Sequence, residues 1–254
     1  MGQTILSFIL GNVIGFSLGL LGGGVSILTV PALVYLVGQD IHTATGTSLA
    51  IVGMSAMIGA LAHARRGKVK ASIGLAFGLA SMIGAVPGVW TNRFLPGRML
   101  LLLFSVLMIA VGIHMLRGKS AMKSEISRVF PDDGPKKKWL RLSSLGLGVG
   151  FLTGFFGVGG GFLIVPVLVL GAHLPMHQAV GTSLLVITMA SFAGFLGQLR
   201  FGRVDFAMVA SFTIGGSIGA LIGTQLAGKI PERQLRTVFG WFIILVAFYI
   251  ILRH

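Results

Sequence analysis

Long apolar runs alternate with short polar loops along the chain, and the lengths of the runs predict membrane helices. Six runs of roughly 20 residues, at 44–61, 71–90, 99–116, 180–199, 206–227 and 238–252, are long enough to cross a hydrocarbon core about 30 Å thick. Two longer stretches, 4–37 and 145–172, open the two halves of the chain. As one straight helix the first would be about 51 Å long, so something must break it. Gly22-Gly23-Gly24 is the expected break in the first stretch, and Gly157-Val158-Gly159-Gly160-Gly161 in the second. Val30-Pro31 and Val165-Pro166 follow within a few residues as a second disruption.

The whole pattern occurs twice. A shift of 135 residues, without a gap, lays Gly15-Phe16 on Gly150-Phe151, His42 on His177, and Gly46-Thr47-Ser48-Leu49 on Gly181-Thr182-Ser183-Leu184. The register holds through Arg65 on Arg200 and Ile83-Gly84-Ala85 on Ile218-Gly219-Ala220. A repeat of about a hundred apolar residues is far longer than a solenoid unit and points to two matched membrane bundles. The expected fold is therefore an all-α polytopic membrane protein of two homologous repeats. Each repeat is a Gly-broken opening helix plus three transmembrane helices, about eight membrane segments in all. Its expected parts are a first repeat at 1–117, a basic cytoplasmic linker at 118–141 and a second repeat at 142–254.

Composition agrees with this class. With 54% hydrophobic residues, 10% charged and a mean hydropathy of +0.94, there is too little polar surface to cover a soluble globule. The formal charge of +14 implies no nucleic-acid partner, because the basic residues sit in short loops where they orient helices and meet lipid head groups. Cysteine is absent, which removes disulfides and thiolate metal sites, and no cofactor or metal is implied. The N-terminus has no basic n-region, and the first apolar stretch is read as a membrane element, not a removed signal.

Topology turns on how often the opening stretch crosses. One crossing makes the repeats parallel; a re-entrant or hairpin path makes them inverted. Counting Lys and Arg does not decide: parallel copies put Arg200, Arg203 and Arg253 inside, and inverted copies exchange them for Lys229, Arg233 and Arg236. The length of the opening stretch favours the inverted arrangement, which also brings helix N-termini toward the midplane from opposite faces.

The candidate chemistry lies in the repeated motifs. Unwound backbone at membrane depth is tolerated where it lines a wet cavity, so Gly22, Gly23, Gly24, Gly157, Gly159, Gly160 and Gly161 are expected to line the substrate path. The remaining glycines, such as Gly84, Gly88, Gly219 and Gly223, are expected to let helices approach closely. Gly46, Thr47, Ser48, Gly181, Thr182 and Ser183 stand near the starts of apolar helices, where hydroxyls join free amides in an anion site. A plain cap or interhelical hydrogen bond is the other reading of these hydroxyls. His42 and His177 are open to two readings, a bond to a loop carbonyl or a proton or substrate contact. No Asp or Glu lies inside an apolar run, which disfavours cation transport, and Asn92, Gln198 and Gln225 read as interhelical glue.

In these residues the chain resembles the sulfite exporter TauE/SafE family. The likeness is carried by the duplicated Gly-rich opening, the duplicated Ala-x-Gly-Thr-Ser-Leu, and Gly67-Lys68-Val69 with Gly202-Arg203-Val204 after each second span. It implies a multi-pass protein of the bacterial inner membrane that exports sulfite or a small organosulfonate such as sulfoacetate. Gly22-Gly23-Gly24 lacks the fuller glycine run of the second copy, so the two halves of a site need not be equivalent.

The leading expectation is a secondary carrier for a small sulfur-containing anion, with a pseudo-symmetric site between the repeats and membrane lipids as surroundings. A passive anion channel is the runner-up. An intramembrane enzyme using Ser48 or Ser183 with a histidine is disfavoured, because neither has an acidic orienting partner. The chain has no Gly-x-x-x-x-Gly-Lys-Ser/Thr motif of its own to drive transport with ATP.

Overall fold

Apolar backbone without water must bond to itself, so the long apolar runs close into helices. A computed structural model of the chain describes residues 2–22, 29–116, 135–156, 161–172, 174–199, 206–227 and 229–252. The described residues form ten helices: α1 (Gly2–Leu21), α2 (Thr29–Tyr35), α3 (Ile41–Arg65), α4 (Ala71–Asn92), α5 (Gly97–Leu116), α6 (Pro135–Phe156), α7 (Gly161–Gly171), α8 (Met176–Leu199), α9 (Phe206–Ala227) and α10 (Glu232–Leu252). Five have the length and apolar character to cross a membrane: α3, α4, α8, α9 and the Trp139–Phe156 part of α6. Shorter apolar segments lie at Ser7–Leu21, Gly97–Ile113 and Ile243–Leu252.

Three features differ from the sequence reading. Each opening stretch, expected as one broken helix, contributes two helices, α1 with α2 and α6 with α7. The Val-Pro pairs do not mark the breaks; Pro31 lies in the first turn of α2, where no amide is needed, and Pro166 lies inside α7. Residues 135–141 of the expected linker are already helical in α6, which starts on Pro135, a residue whose fixed φ suits a first helical position.

The two halves interlock instead of standing side by side. α1 packs on α9, the fourth helix of the other half, and α6 packs on α4. α3 lies against α8 and α9, α4 against α8, and α5 against α10. Glycines at four-residue spacing make the first two contacts. A Cβ on Gly11, Gly15 or Gly19 of α1 would collide with backbone at Phe212, Gly216 or Ala220 of α9. On α6, a Cβ at Gly146, Gly150 or Gly154 would meet Phe77, Ser81 or Ala85 of α4. Both pairs run parallel, and each contact of one pair maps onto a contact of the other under the 135-residue shift. The central pair runs the other way: Leu49 lies by Gly194, Gly53 by Ser191 and Gly59 by Leu184, so α3 and α8 are antiparallel.

These directions fix the path of the opening stretch. α3 runs parallel to α9, with Ser55 at Gly216 and Arg66 at Thr224, and α1 also runs parallel to α9. α1 and α3 therefore point the same way, and α3 starts on the face where α1 began. Leu21 and Val30 flank the first break and their counterparts Phe156 and Val165 flank the second; all four share one apolar cluster with Phe104 and Met108 of α5 and Ile243 and Ala247 of α10.

The glycine ladder makes a prediction within one helix. Gly150→Ala drives a methyl into the Ser81 backbone and is expected to lower stability by about 1–3 kcal/mol, whereas Gly148→Ala, with open space around it, costs nothing. Thermal unfolding of the two variants in detergent checks the contrast.

Candidate functional site

α3 and α8 are the most enclosed of the spanning helices, and they carry about half of the buried polar side chains among the described residues. Thr45, Thr47, Ser48 and Ser55 are buried on α3, and Thr182, Ser183, Ser191 and Gln198 on α8. In a low-dielectric interior each such group costs free energy unless a partner is found. Thr45 is satisfied locally by donating to the Ile41 carbonyl. Among the described residues, the hydroxyls of Thr47, Ser48, Ser55 and Ser191 have no hydrogen-bond partner.

The Gly-Thr-Ser motifs sit one turn deeper than their expected position at the helix starts. α3 begins at Ile41 behind Asp40, whose carboxylate accepts from the His42 amide, and α8 begins at Met176 behind Pro175. Gly46, Thr47 and Ser48 lie in the second turn of α3, and Gly181, Thr182 and Ser183 in the second turn of α8. Amides at that depth are committed to intrahelical bonds, so only the hydroxyls remain to meet a ligand.

The motifs and the breaks are brought together across the halves. Gly22 ends α1 in the left-handed region, φ +67°, a conformation that suits a residue without Cβ. A Cβ there would come within 2.8 Å of Val180 Cα and 3.0 Å of Ser183 Oγ. Ser183 Oγ donates to the Val180 carbonyl at 2.7 Å, with the Gly22 carbonyl at 3.5 Å. The first break thus lies on the Gly-Thr-Ser turn of the second half. Thr182 Oγ1 accepts the Lys70 amide at 2.9 Å, capping α4, so this hydroxyl holds two helices together. Gly181 is required by closeness, since a Cβ would come to 2.6 Å of the Lys68 carbonyl oxygen. Gly161 is the first residue of α7. Gly23, Gly24, Gly157, Gly159 and Gly160 lie outside the described residues.

Side chains of the first half cap both α1 and α6 just before their breaks. Asn92 Nδ2 donates to the Phe155 carbonyl near the end of α6, and its Oδ1 faces His42 Nδ1 at 3.1 Å. Gln198 Nε2 donates to the His42 carbonyl, joining α8 to the same cluster. His63 Nε2 faces the Gly19 carbonyl in the last turn of α1 at 3.1 Å. His177 is half-buried in the first turn of α8, within electrostatic range of His63. His63 is the residue that sequence reasoning missed. Its counterpart under the shift is Gln198, so a search for matched histidines passes over it. Its place in the last turn of a span, four residues before the Gly67 turn, was the available signal.

Residues 7–250 match the family described as Sulfite exporter TauE/SafE. The chain belongs to that family. A probable membrane transporter protein of Xylella fastidiosa is 38% identical over 259 residues, covering 99% of this chain and 97% of the relative. The probable membrane transporter protein YdhB of Bacillus subtilis is 28% identical, covering 92% of each chain. No solved structure matches the chain. The protein is accordingly a multi-pass membrane transporter of the TauE/SafE family, and its relatives are described as probable membrane transporters.

The unequal threonines give a stability test. Thr182→Val removes a capping acceptor and strands the Lys70 amide, for an expected loss of about 1–3 kcal/mol. Thr47→Val removes a buried hydroxyl with no partner among the described residues and is expected to leave unfolding unchanged or raise its midpoint.

Proposed function

We propose that the protein is a secondary carrier that exports a small sulfur-containing anion, such as sulfite or an organosulfonate of the sulfoacetate class, across the bacterial inner membrane. The observation that carries this reading is the meeting of one half's break with the other half's Gly-Thr-Ser turn, at Gly22, Val180 and Ser183. Buried hydroxyls at Thr47 and Ser48, in the matching turn of the first half and about 18 Å along the antiparallel central pair from Ser183, are free of partners among the described residues and are neutral donors suited to a desolvated oxyanion at the other end of the path. No carboxylate lies in the interior of an apolar run to repel an anion or hold a cation. The family's description as sulfite exporters supports the substrate class and the direction.

In this reading the halves are inverted repeats about an axis in the membrane plane. A rotation about the membrane normal keeps equivalent helices parallel, whereas α3 and α8 are equivalent under the 135-residue shift and antiparallel. A pseudo-symmetric site on that axis faces either side when one half rocks against the other, the logic of alternating access.

Flux into proteoliposomes with sulfite, sulfoacetate, thiosulfate and sulfate tests the function. Saturable flux of a sulfur oxyanion is expected; flux that rises linearly with concentration identifies a channel, and none for any of them defeats the reading. Thr47→Val combined with Ser48→Ala is expected to weaken binding by about a hundredfold or more, from about 1.5–3 kcal/mol for each of the two lost bonds to a charged ligand.

Topology is tested separately. Since the chain has no native cysteine, single cysteines at Lys68, Lys229 and Arg203 can be labelled with an impermeant maleimide in intact cells. Inverted repeats predict protection of Lys68→Cys and Lys229→Cys and labelling of Arg203→Cys. Labelling of Lys229→Cys with protection of Arg203→Cys identifies parallel repeats.

A further inference from the structure

His63 is a buried ionisable side chain with one nitrogen in use. It is 4% exposed, in the last turn of α3, and touches the two elements that form the candidate site. Its Nε2 faces the Gly19 carbonyl, three residues before the break at Gly22, and a carbonyl can only accept, so Nε2 carries a hydrogen. Its Cβ lies 3.1 Å from where a Cβ of Gly181 would stand, one residue before Thr182. Nδ1 is buried and has no partner among the described residues. With the hydrogen on Nε2, the neutral ring presents a bare lone pair there.

A buried acceptor of this kind is satisfied by something that brings a hydrogen. The charged and titratable groups around the ring are Arg66 and Lys68 in the α3–α4 loop and His177 on α8, while α1 and α9 present none. Arg66 is turned to the end of α9, donating to the Thr224 carbonyl at 2.7 Å. In such basic surroundings a proton on Nδ1 is stabilised by an anion beside it. Conversely, Nδ1–H gives a charge-assisted donor to an oxyanion.

We infer that His63 links anion binding at the Gly22–Ser183 end of the central helix pair to the uptake of one proton, the oxyanion and the proton entering there together with the proton held at Nδ1. The proton comes from solvent, or from the substrate itself when it enters as a monoprotonated oxyanion; in both cases one proton and one anion are bound, and release reverses the step. The linkage belongs to one half only, because the matching position in the second half is Gln198, which does not titrate. This inference rests on the anion-carrier reading and deepens it.

The test uses the full-length protein in detergent with methanesulfonate, which stays fully ionised, and sulfite, which does not. Proton uptake on binding is followed with a pH dye in weak buffer, and Kd by calorimetry from about pH 6 to pH 8, the range in which a histidine titrates. Wild type is expected to take up about one proton per methanesulfonate, with Kd rising as pH rises, toward tenfold per unit. In His63→Gln the amide can still donate to the Gly19 carbonyl, so the fold is expected to hold while proton uptake is lost and methanesulfonate binding becomes independent of pH. Undiminished uptake in His63→Gln overturns the inference, as does loss of uptake in His177→Gln alone. Methanesulfonate binding to wild type without proton uptake also overturns it, whatever the variants do, and leaves the carrier reading intact. Failure of wild type to bind either anion overturns both.

Discussion

The structure depends on backbone meeting backbone between α1 and α9, and again between α6 and α4. Lipid tails are as apolar as the helix surfaces, so no hydrophobic gain draws these helices together; close packing and interhelical bonds do. Glycine every fourth residue removes the side chains along one row and lets main chains touch at Gly15 with Gly216 and at Gly150 with Ser81. These two contacts cross between the halves. They carry the opening helix of each half into the territory of the other, and so bring the first break to the Gly-Thr-Ser turn that lies 160 residues away in sequence.

Within that frame α3, α4 and α5 map onto α8, α9 and α10 under the 135-residue shift, while their side chains differ. Thr182 is occupied by the Lys70 amide, whereas the position matching Lys70 in the second half is Asp205, which lies outside the described residues. His63 and Gln198 occupy the same position, yet one caps the end of α1 and the other reaches the His42 carbonyl. An alternating site needs matching backbone so that both faces can close. Its chemistry needs no such match, and a proton-linked group on one side alone suffices to make the two faces unequal.

Much of the helical layout was legible because periodic signals are redundant. The 135-residue shift predicts α9 from α4 residue for residue, and α6 ends where a shifted α1 ends. Helix ends were harder to read. A proline tolerated in a first turn looks in sequence like a break, and Pro31 misled on that account. The depth of Gly-Thr-Ser depends on where the cap falls, and for α3 that is set by Asp40, whose carboxylate accepts from the His42 amide. Symmetry itself hid His63, because a search for paired residues finds only what both copies kept. The exchange of helices between halves was also invisible, since which helix a glycine row faces is a property of three dimensions.

The claim that orders all of this is that equivalent central helices, α3 and α8, run antiparallel. Paired cysteines in the otherwise cysteine-free chain test it most directly. Leu49→Cys with Gly194→Cys, and Gly59→Cys with Leu184→Cys, are expected to be bridged by a short bismaleimide, because each pair is in contact. Gly59→Cys with Gly194→Cys, about 15 Å apart along the helices, is expected to stay unlinked. Linking of that third pair, and of Leu49→Cys with Leu184→Cys, while the first two stay free, would mean that the helices run parallel and would contradict the account.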